Sequence, residues 1–203
     1  MPGVGVADDG LPRCSWSLGS EAYRQYHDTE WGLPCRDERK LFEFLILEGA
    51  QAGLSWSTIL AKRENYREAF DDWDVAKIAR YSDARIEKLM ANPGVVRNRL
   101  KIESTRTNAK AMLALNKAEG SFSDWLWAHV GDTPQLNSPR QPGDVPAKTA
   151  LSDTISKALL KRGFKFVGST IVYAYLQAMG LVNDHYVGCH CHPAFASKAG
   201  KRP

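Results

Sequence analysis

The sequence predicts an all-α fold. Three observations carry that expectation. Apolar residues recur at helical spacing through most of the chain, no run alternates polar and apolar residues as a half-buried strand would, and short polar side chains stand ahead of the periodic segments where helix caps belong.

Taken in order, Asp37 caps a predicted helix running to about Gly53, in which Leu41, Leu45 and Ala52 form one stripe that Phe42 and Ile46 widen. A second helix is expected from about Ser57 to Phe70. Asp74 then caps a short segment holding Ile78, and Ser82 caps one holding Ile86, Leu89 and Met90, which Asn92-Pro93-Gly94 stops. The following helix turns Ile102, Ala109 and Met112 inward, while Arg97, Arg99, Lys101, Arg106 and Lys110 crowd its length. A short tryptophan-rich helix covers Phe122 to Val130. Pro134, Pro139, Pro142 and Pro146 punctuate an irregular connection up to Thr149, a junction between lobes. Two helices remain, Ser152 to Arg162 and about Ser169 to Met179, with Gly163 and Gly180 as C-terminal stops.

With 43% apolar content, 203 residues suffice for one substantial core, expected here as a single domain of two helical lobes over residues 13–193. Residues 1–12 and 194–203 are expected to be flexible ends. Residues 1–12 lack the basic start and apolar run of a signal peptide, and no later stretch approaches the roughly 20 apolar residues that span a bilayer. Four cysteines without a secretion signal read as thiols or metal ligands rather than a disulfide framework, which predicts a cytoplasmic protein. The net charge of +4 permits a nucleic-acid partner without requiring one.

Three features carry chemistry. Cys14 and His27 near the start, with His185-x-x-x-Cys189 near the end, supply two thiolates and two imidazoles suited to a closed tetrahedral zinc site; Cys35, His190, Cys191 and His192 compete as ligands. Phe164-Lys165-Phe166-Val167-Gly168 leads into a helix N-terminus whose amides, beside Lys161, Arg162 and Lys165, suit a phosphate, although an ordinary helix turn with a solvated basic rim has the same composition. Glu48 falls on an apolar helix stripe, where a carboxylate needs a cation, a hydrogen-bonding network or a ligand. Tyr23, Tyr26, Trp31 and Trp56 offer either core or flat walls for a base taken out of the DNA stack.

Six ordered motifs, read together, resemble the 3-methyladenine DNA glycosylase I family. They are Arg13-Cys14-Ser15-Trp16, Tyr26-His27-Asp28-Thr29-Glu30-Trp31-Gly32, Leu47 through Trp56, Lys62 through Arg67, Lys161 through Gly168, and Leu181-Val182-Asn183-Asp184-His185. The resemblance runs from about Pro12 to Pro193. It implies a two-lobed helix-hairpin-helix fold in which one structural zinc joins the two chain ends through Cys14, His27, His185 and Cys189. It also implies a catalytic role for Glu48, a base pocket with Tyr26 and Trp56 and with Tyr23, Trp16 and Trp31 nearby, and DNA contacts at Lys165 and Gly168. Asn183 stands where the wider superfamily carries a catalytic aspartate, with Asp184 one step off, so that role is not assigned. The implied activity is hydrolysis of the N-glycosidic bond of alkylated purines, chiefly 3-methyladenine, in double-stranded DNA, by a monomer that releases the free base and leaves an abasic site.

Overall fold

A computed structural model describes residues 3–195. Helices dominate it, and the chain divides into two compact units.

The larger unit comprises residues 35–132 and 148–175. Its first helix, α2 (Glu38–Gln51, following α1, Glu21–Thr29, of the other unit), starts where the Asp37 carboxylate accepts the Lys40 amide at 2.7 Å. Every residue from Leu41 to Ala50 is buried, so α2 is wrapped on all sides rather than along the one stripe expected. The helix expected over Ser57 to Phe70 is two, α3 (Trp56–Ala61) and α4 (Arg63–Ala69). They part at Lys62, which ends α3 and precedes α4 without belonging to either and whose ammonium donates to Pro93 O at 2.9 Å.

Asp74 and Ser82 cap α5 (Val75–Ile78) and α6 (Asp83–Ala91), as the sequence predicts. Asn98 caps α7 (Arg99–Glu119), which packs on α5, α6 and α2 and on α8 (Phe122–Ala128). A Thr149–Ser152 capping box opens α9 (Ala150–Lys161), two residues before the expected start, and a short hairpin leads to α10 (Ser169–Ala178). Phe42, Phe70, Trp73, Phe122, Trp127 and Phe164 are almost wholly buried here, each worth about 1.5–3 kcal/mol of transfer free energy.

The other unit is assembled from the chain up to Pro34, Thr133–Ala147 and the chain from Leu176. Two small sheets correct the all-α expectation. β1 (Val4–Val6) pairs antiparallel with β2 (Pro12–Cys14), so part of the N-terminal stretch expected to be flexible is a hairpin. β3 (Gln135–Leu136) pairs in parallel with β4 (Val182–Asn183). Strands of two or three residues are too short to show a period of two in sequence.

A 3-10 turn over Ser15–Gly19 joins β2 to α1 (Glu21–Thr29). Gly180, at φ +69°, lies where a Cβ would strike the Leu33 and Pro34 backbone, so only glycine fits this crossing. Of the tail expected to be flexible, residues 196–203 lie outside the described residues. Among the described residues, no helix is long and apolar enough to cross a membrane.

Candidate functional site

The smaller unit brings the two chain ends together around histidine and cysteine side chains. α1 delivers His27, and the segment after β4 delivers His185, Cys189 and Cys191. One ligand atom from each of these four lies within 4.8 Å of the others. The ring nitrogens are prepared for a cation. His27 Nδ1 meets Asp28 Oδ1 at 2.7 Å, and its Nε2 lies 3.4 Å from Cys189 Sγ. His185 Nδ1 meets Asn183 Oδ1 at 3.0 Å, which leaves Nε2 as the lone-pair nitrogen. That Nε2 is buried without a hydrogen-bond partner among the described residues. Burial, with His27 adjacent, pulls the His185 pKa down to about 4, so the ring is neutral and able to ligate at pH 7.

Cys14 lies beside this group rather than in it. Its thiol hydrogen-bonds to Cys189, and its sulfur accepts the Tyr186 amide at 3.3 Å. Cys189 receives hydrogen bonds from both Cys14 and Cys191, which hold its pKa well below the usual thiol range. Three sulfurs and two imidazoles therefore converge, one donor more than a tetrahedral metal uses.

An outer layer fixes the inner one. Asp28 takes a two-pronged contact from Arg13 at 2.7 to 3.0 Å and a further one from His190 at 3.0 Å. Burial raises the Asp28 pKa, but the Arg13, His27 and His190 hydrogen bonds outweigh it and hold the carboxyl at about 2. Sequence reading missed Arg13 and Asp28, although both stand within its motifs. Asn183 orients His185, while the Asp184 carboxylate accepts Asn137 and Gln177 side-chain amides, both at 2.7 Å. Both residues at the superfamily's aspartate position are thus occupied structurally.

Four of the aromatic residues singled out by sequence, Trp16, Tyr23, Tyr26 and Trp31, share this unit. Trp16 meets Tyr23, His27 and Trp31 edge-to-face, with ring centroids 5.3, 5.2 and 4.9 Å away, and Trp31 meets His185 at 4.7 Å. Tyr26 is buried in α1, one residue before His27. The His27 and His185 rings and those of Trp16, Tyr23 and Trp31 form one packed aromatic set.

Glu48 and Trp56 belong to the larger unit. Glu48 lies in the last turn of α2, 5% exposed, and burial alone raises its pKa to about 8. Glu43, on the same helix and also buried, instead meets Arg63 at 2.6 Å. Trp56 opens α3 and packs on Phe44 at 6.1 Å.

The hairpin between α9 and α10 leaves Lys165 and Gly168 exposed while burying Phe164 and Val167. Asn108 of α7 grips the Lys165 backbone from both sides, accepting its N–H at 2.7 Å and donating to its carbonyl at 3.0 Å. Phe166 takes φ +54°, and a Cβ on Gly49 of α2 would lie only 3.1 Å from Phe166 Cβ. The hairpin is therefore a rigid element with one exposed cation.

The methyladenine glycosylase family model matches residues 16–192 of this chain. The chain belongs to the methyladenine glycosylase family. It is 47% identical over 183 residues to DNA-3-methyladenine glycosylase 1 of Escherichia coli strain K12, covering 90% of this chain and 98% of the relative. A crystal structure of 3-methyladenine DNA glycosylase I superimposes with a TM-score of 0.87 at 49% identity, covering 89% of this chain and all of the other. A tyrosine-to-phenylalanine variant of 3-methyladenine DNA glycosylase I in complex with 3-methyladenine matches with a TM-score of 0.86 at 36% identity, covering 89% and 97%. Methyladenine glycosylase membership extends across both compact units, since the matched residues run through each.

Proposed function

We propose that this methyladenine glycosylase acts in base-excision repair as a monofunctional enzyme, hydrolysing the N-glycosidic bond of 3-methyladenine in double-stranded DNA. The observation that carries the reading is Glu48, a buried carboxyl whose raised pKa has no cause but burial, within a family whose relatives are named for 3-methyladenine. Methylation at N3 makes the nucleotide cationic, so the base leaves as a neutral group and needs little acid assistance. Selection is then the main task. With a pKa of about 8 in the free protein, roughly a tenth of Glu48 is ionised at pH 7. A cationic base favours the anion, and the neutral adenine of intact DNA does not. The carboxylate also accepts a hydrogen bond from the exocyclic amino group.

Trp56, in the same unit as Glu48, supplies aromatic surface for the base, a contact worth roughly 1–3 kcal/mol, and the resemblance assigns Tyr26, Tyr23, Trp16 and Trp31 to base binding as well. α9, the hairpin and α10 act as the helix-hairpin-helix element, with Lys165 and Gly168 on the phosphates of the duplex. Water attacks the sugar, and without a lysine nucleophile the product is an abasic site with no strand cut. The enzyme works as a cytoplasmic monomer.

A structural zinc fits the cluster because His185 Nε2 is a buried lone-pair nitrogen with nothing to accept. His27, His185 and Cys189 would hold it together with one further thiolate. The resemblance assigns that fourth position to Cys14, and the donor geometry favours Cys191. When bound, zinc supplies cross-linking of the two chain ends rather than chemistry, since four protein ligands leave no open position.

Release of 3-methyladenine from alkylated duplex DNA by the purified protein tests the activity. Free base together with an uncut abasic strand supports the reading. Absence of release would overturn it.

A further inference from the structure

The carbonyls of the last turn of any α-helix lack intrahelical donors and need partners from elsewhere. α2 ends at Gln51, Ala52 leaves helical geometry, and Gly53 takes φ +78°, opening the exposed turn Gly53-Leu54-Ser55 that leads to α3. The Lys101 ammonium, from the first turn of α7, reaches this end and donates to Ala50 O at 2.8 Å and Ala52 O at 2.6 Å. A cation at a helix C-terminus also meets the negative end of the helix dipole. Burial lowers the Lys101 pKa, as it does for an ammonium drawn out of water onto carbonyls.

The clamped carbonyls have a particular place in the chain. Glu48 lies four residues before Ala52 and Trp56 four residues after it, so the turn that Lys101 grips joins the two groups assigned to the base. Asn108 lies seven residues beyond Lys101, two turns along the same face of α7 and about 10 Å up its axis. There it holds the hairpin backbone at Lys165. The hairpin in turn closes on α2 at Gly49, where a Cβ would lie only 3.1 Å from Phe166 Cβ. The last turn of α2 is therefore gripped by Lys101 at its end and by the hairpin at its side.

We propose that Lys101 is a positioning residue for base recognition: by holding the α2–α3 turn through Ala50 and Ala52 it sets the placement of Glu48 and Trp56, while Asn108 on the same face of α7 sets the hairpin. This rests on the base-recognition role assigned to Glu48 and Trp56. One helix face thereby fixes the spacing between the base-reading and phosphate-binding elements. The sequence reading grouped Lys101 with the cations that crowd α7, and the fold directs its charge at backbone oxygens.

The test compares wild type with Lys101→Met, Lys101→Arg and Asn108→Ala in three measurements: affinity for free 3-methyladenine, single-turnover excision at saturating DNA, and the salt dependence of undamaged-duplex binding. Lys101→Met is expected to weaken free-base affinity and slow excision on the order of ten- to a hundredfold, the scale of an approximately 1 Å misplacement. Duplex affinity and salt slope should stay at wild-type values, and Lys101→Arg, which restores a cationic donor, should recover most of the loss. Asn108→Ala should show the opposite split, weakening duplex binding more than free-base binding.

If Lys101→Met does not fold, Lys101→Gln, which can still donate to a carbonyl, should fall between wild type and the expected methionine values. A lowered Tm with unchanged free-base affinity and excision per folded molecule would overturn the proposal and make Lys101 structural. A flattened salt slope with intact base affinity would overturn it too, making Lys101 a phosphate contact. Wild-type protein that does not bind free 3-methyladenine would sink the base-site reading itself, a failure visible before any variant is compared.

Discussion

Asp28 and Glu48 are both carboxyls shielded from water, and the two units treat them oppositely. In the smaller unit Asp28 is surrounded by Arg13, His27 and His190, and its pKa is held at about 2. In the larger unit burial is the one cause acting on Glu48 among the described residues, and its pKa rises to about 8. A carboxylate supplied with partners serves the fold, because its desolvation is offset within the protein. One buried without them is costly to the fold and is explained by a ligand that arrives later. His185 Nε2 repeats the second pattern inside the first unit, and there the partner we propose is a metal ion.

The largest effect that tests this contrast lies in the smaller unit. Stripping metal with a chelator, or making Cys189→Ala or His185→Ala, should abolish stoichiometric zinc and lower Tm by ten degrees or more, about the consequence of losing several kcal/mol. Elemental analysis and calorimetry measure both. A stable, active protein that never contained metal would remove zinc from the account. Cys14→Ser and Cys191→Ser should differ in zinc affinity, and whichever loses more identifies the fourth ligand.

Asn183→Ala comes next. It removes the acceptor that fixes the His185 tautomer, and outer-layer changes of this kind typically lower metal affinity about 10- to 100-fold. Competition with a chelating dye reads the change. Unaltered affinity would show that Asn183 does not support the ligand.

A smaller effect is expected on stability from Glu48→Gln. A folded pKa of about 8 against an ordinary value of 4.5 means the neutral form is favoured by folding, so wild-type stability is lost as pH rises through that interval. The glutamine variant cannot ionise and should gain a few degrees of Tm at pH 8.5 with little gain at pH 5. Equal Tm differences at both pH values would show that Glu48 has hidden compensation.

The smallest change is expected for Lys165→Ala. Its exposed ammonium should contribute about one phosphate contact, lowering the salt slope of duplex binding by close to one without altering preference for alkylated DNA. A selective loss for damaged DNA would move Lys165 into base recognition.

Much of this was legible before the structure. The caps at Asp37, Asp74 and Ser82 announce three helices, because a short acceptor before a periodic run acts within four residues of chain. Glu48 was visible as a charge on an apolar helix stripe, and His27, His185 and Cys189 as members of recognisable motifs that the fold brings together. What sequence could not reveal depends on distant chain. Lys101 reads as one more surface cation, since its carbonyl partners lie about fifty residues away. Cys191 was one of several sulfur and imidazole neighbours, and only three-dimensional distance separates it from Cys35. The two short sheets and the break at Lys62 escaped because they are set by contacts with other segments rather than by local period.

The central claim is that Glu48, which meets no cation or hydrogen-bond donor among the described residues, is there to meet a cationic base. The most direct test is the pH dependence of single-turnover 3-methyladenine excision by wild type and Glu48→Gln at subsaturating alkylated duplex, where the second-order rate reports the free enzyme, and at constant metal content. If the ionised carboxylate is the working form, the wild-type rate should climb as pH rises from about 6 and level off near pH 8, where the free-enzyme group titrates. Glu48→Gln should be slower, retain part of the activity because the lesion's own bond is labile, and lack that limb. Superimposable profiles for the two proteins would contradict the account and leave Glu48 a buried structural carboxyl.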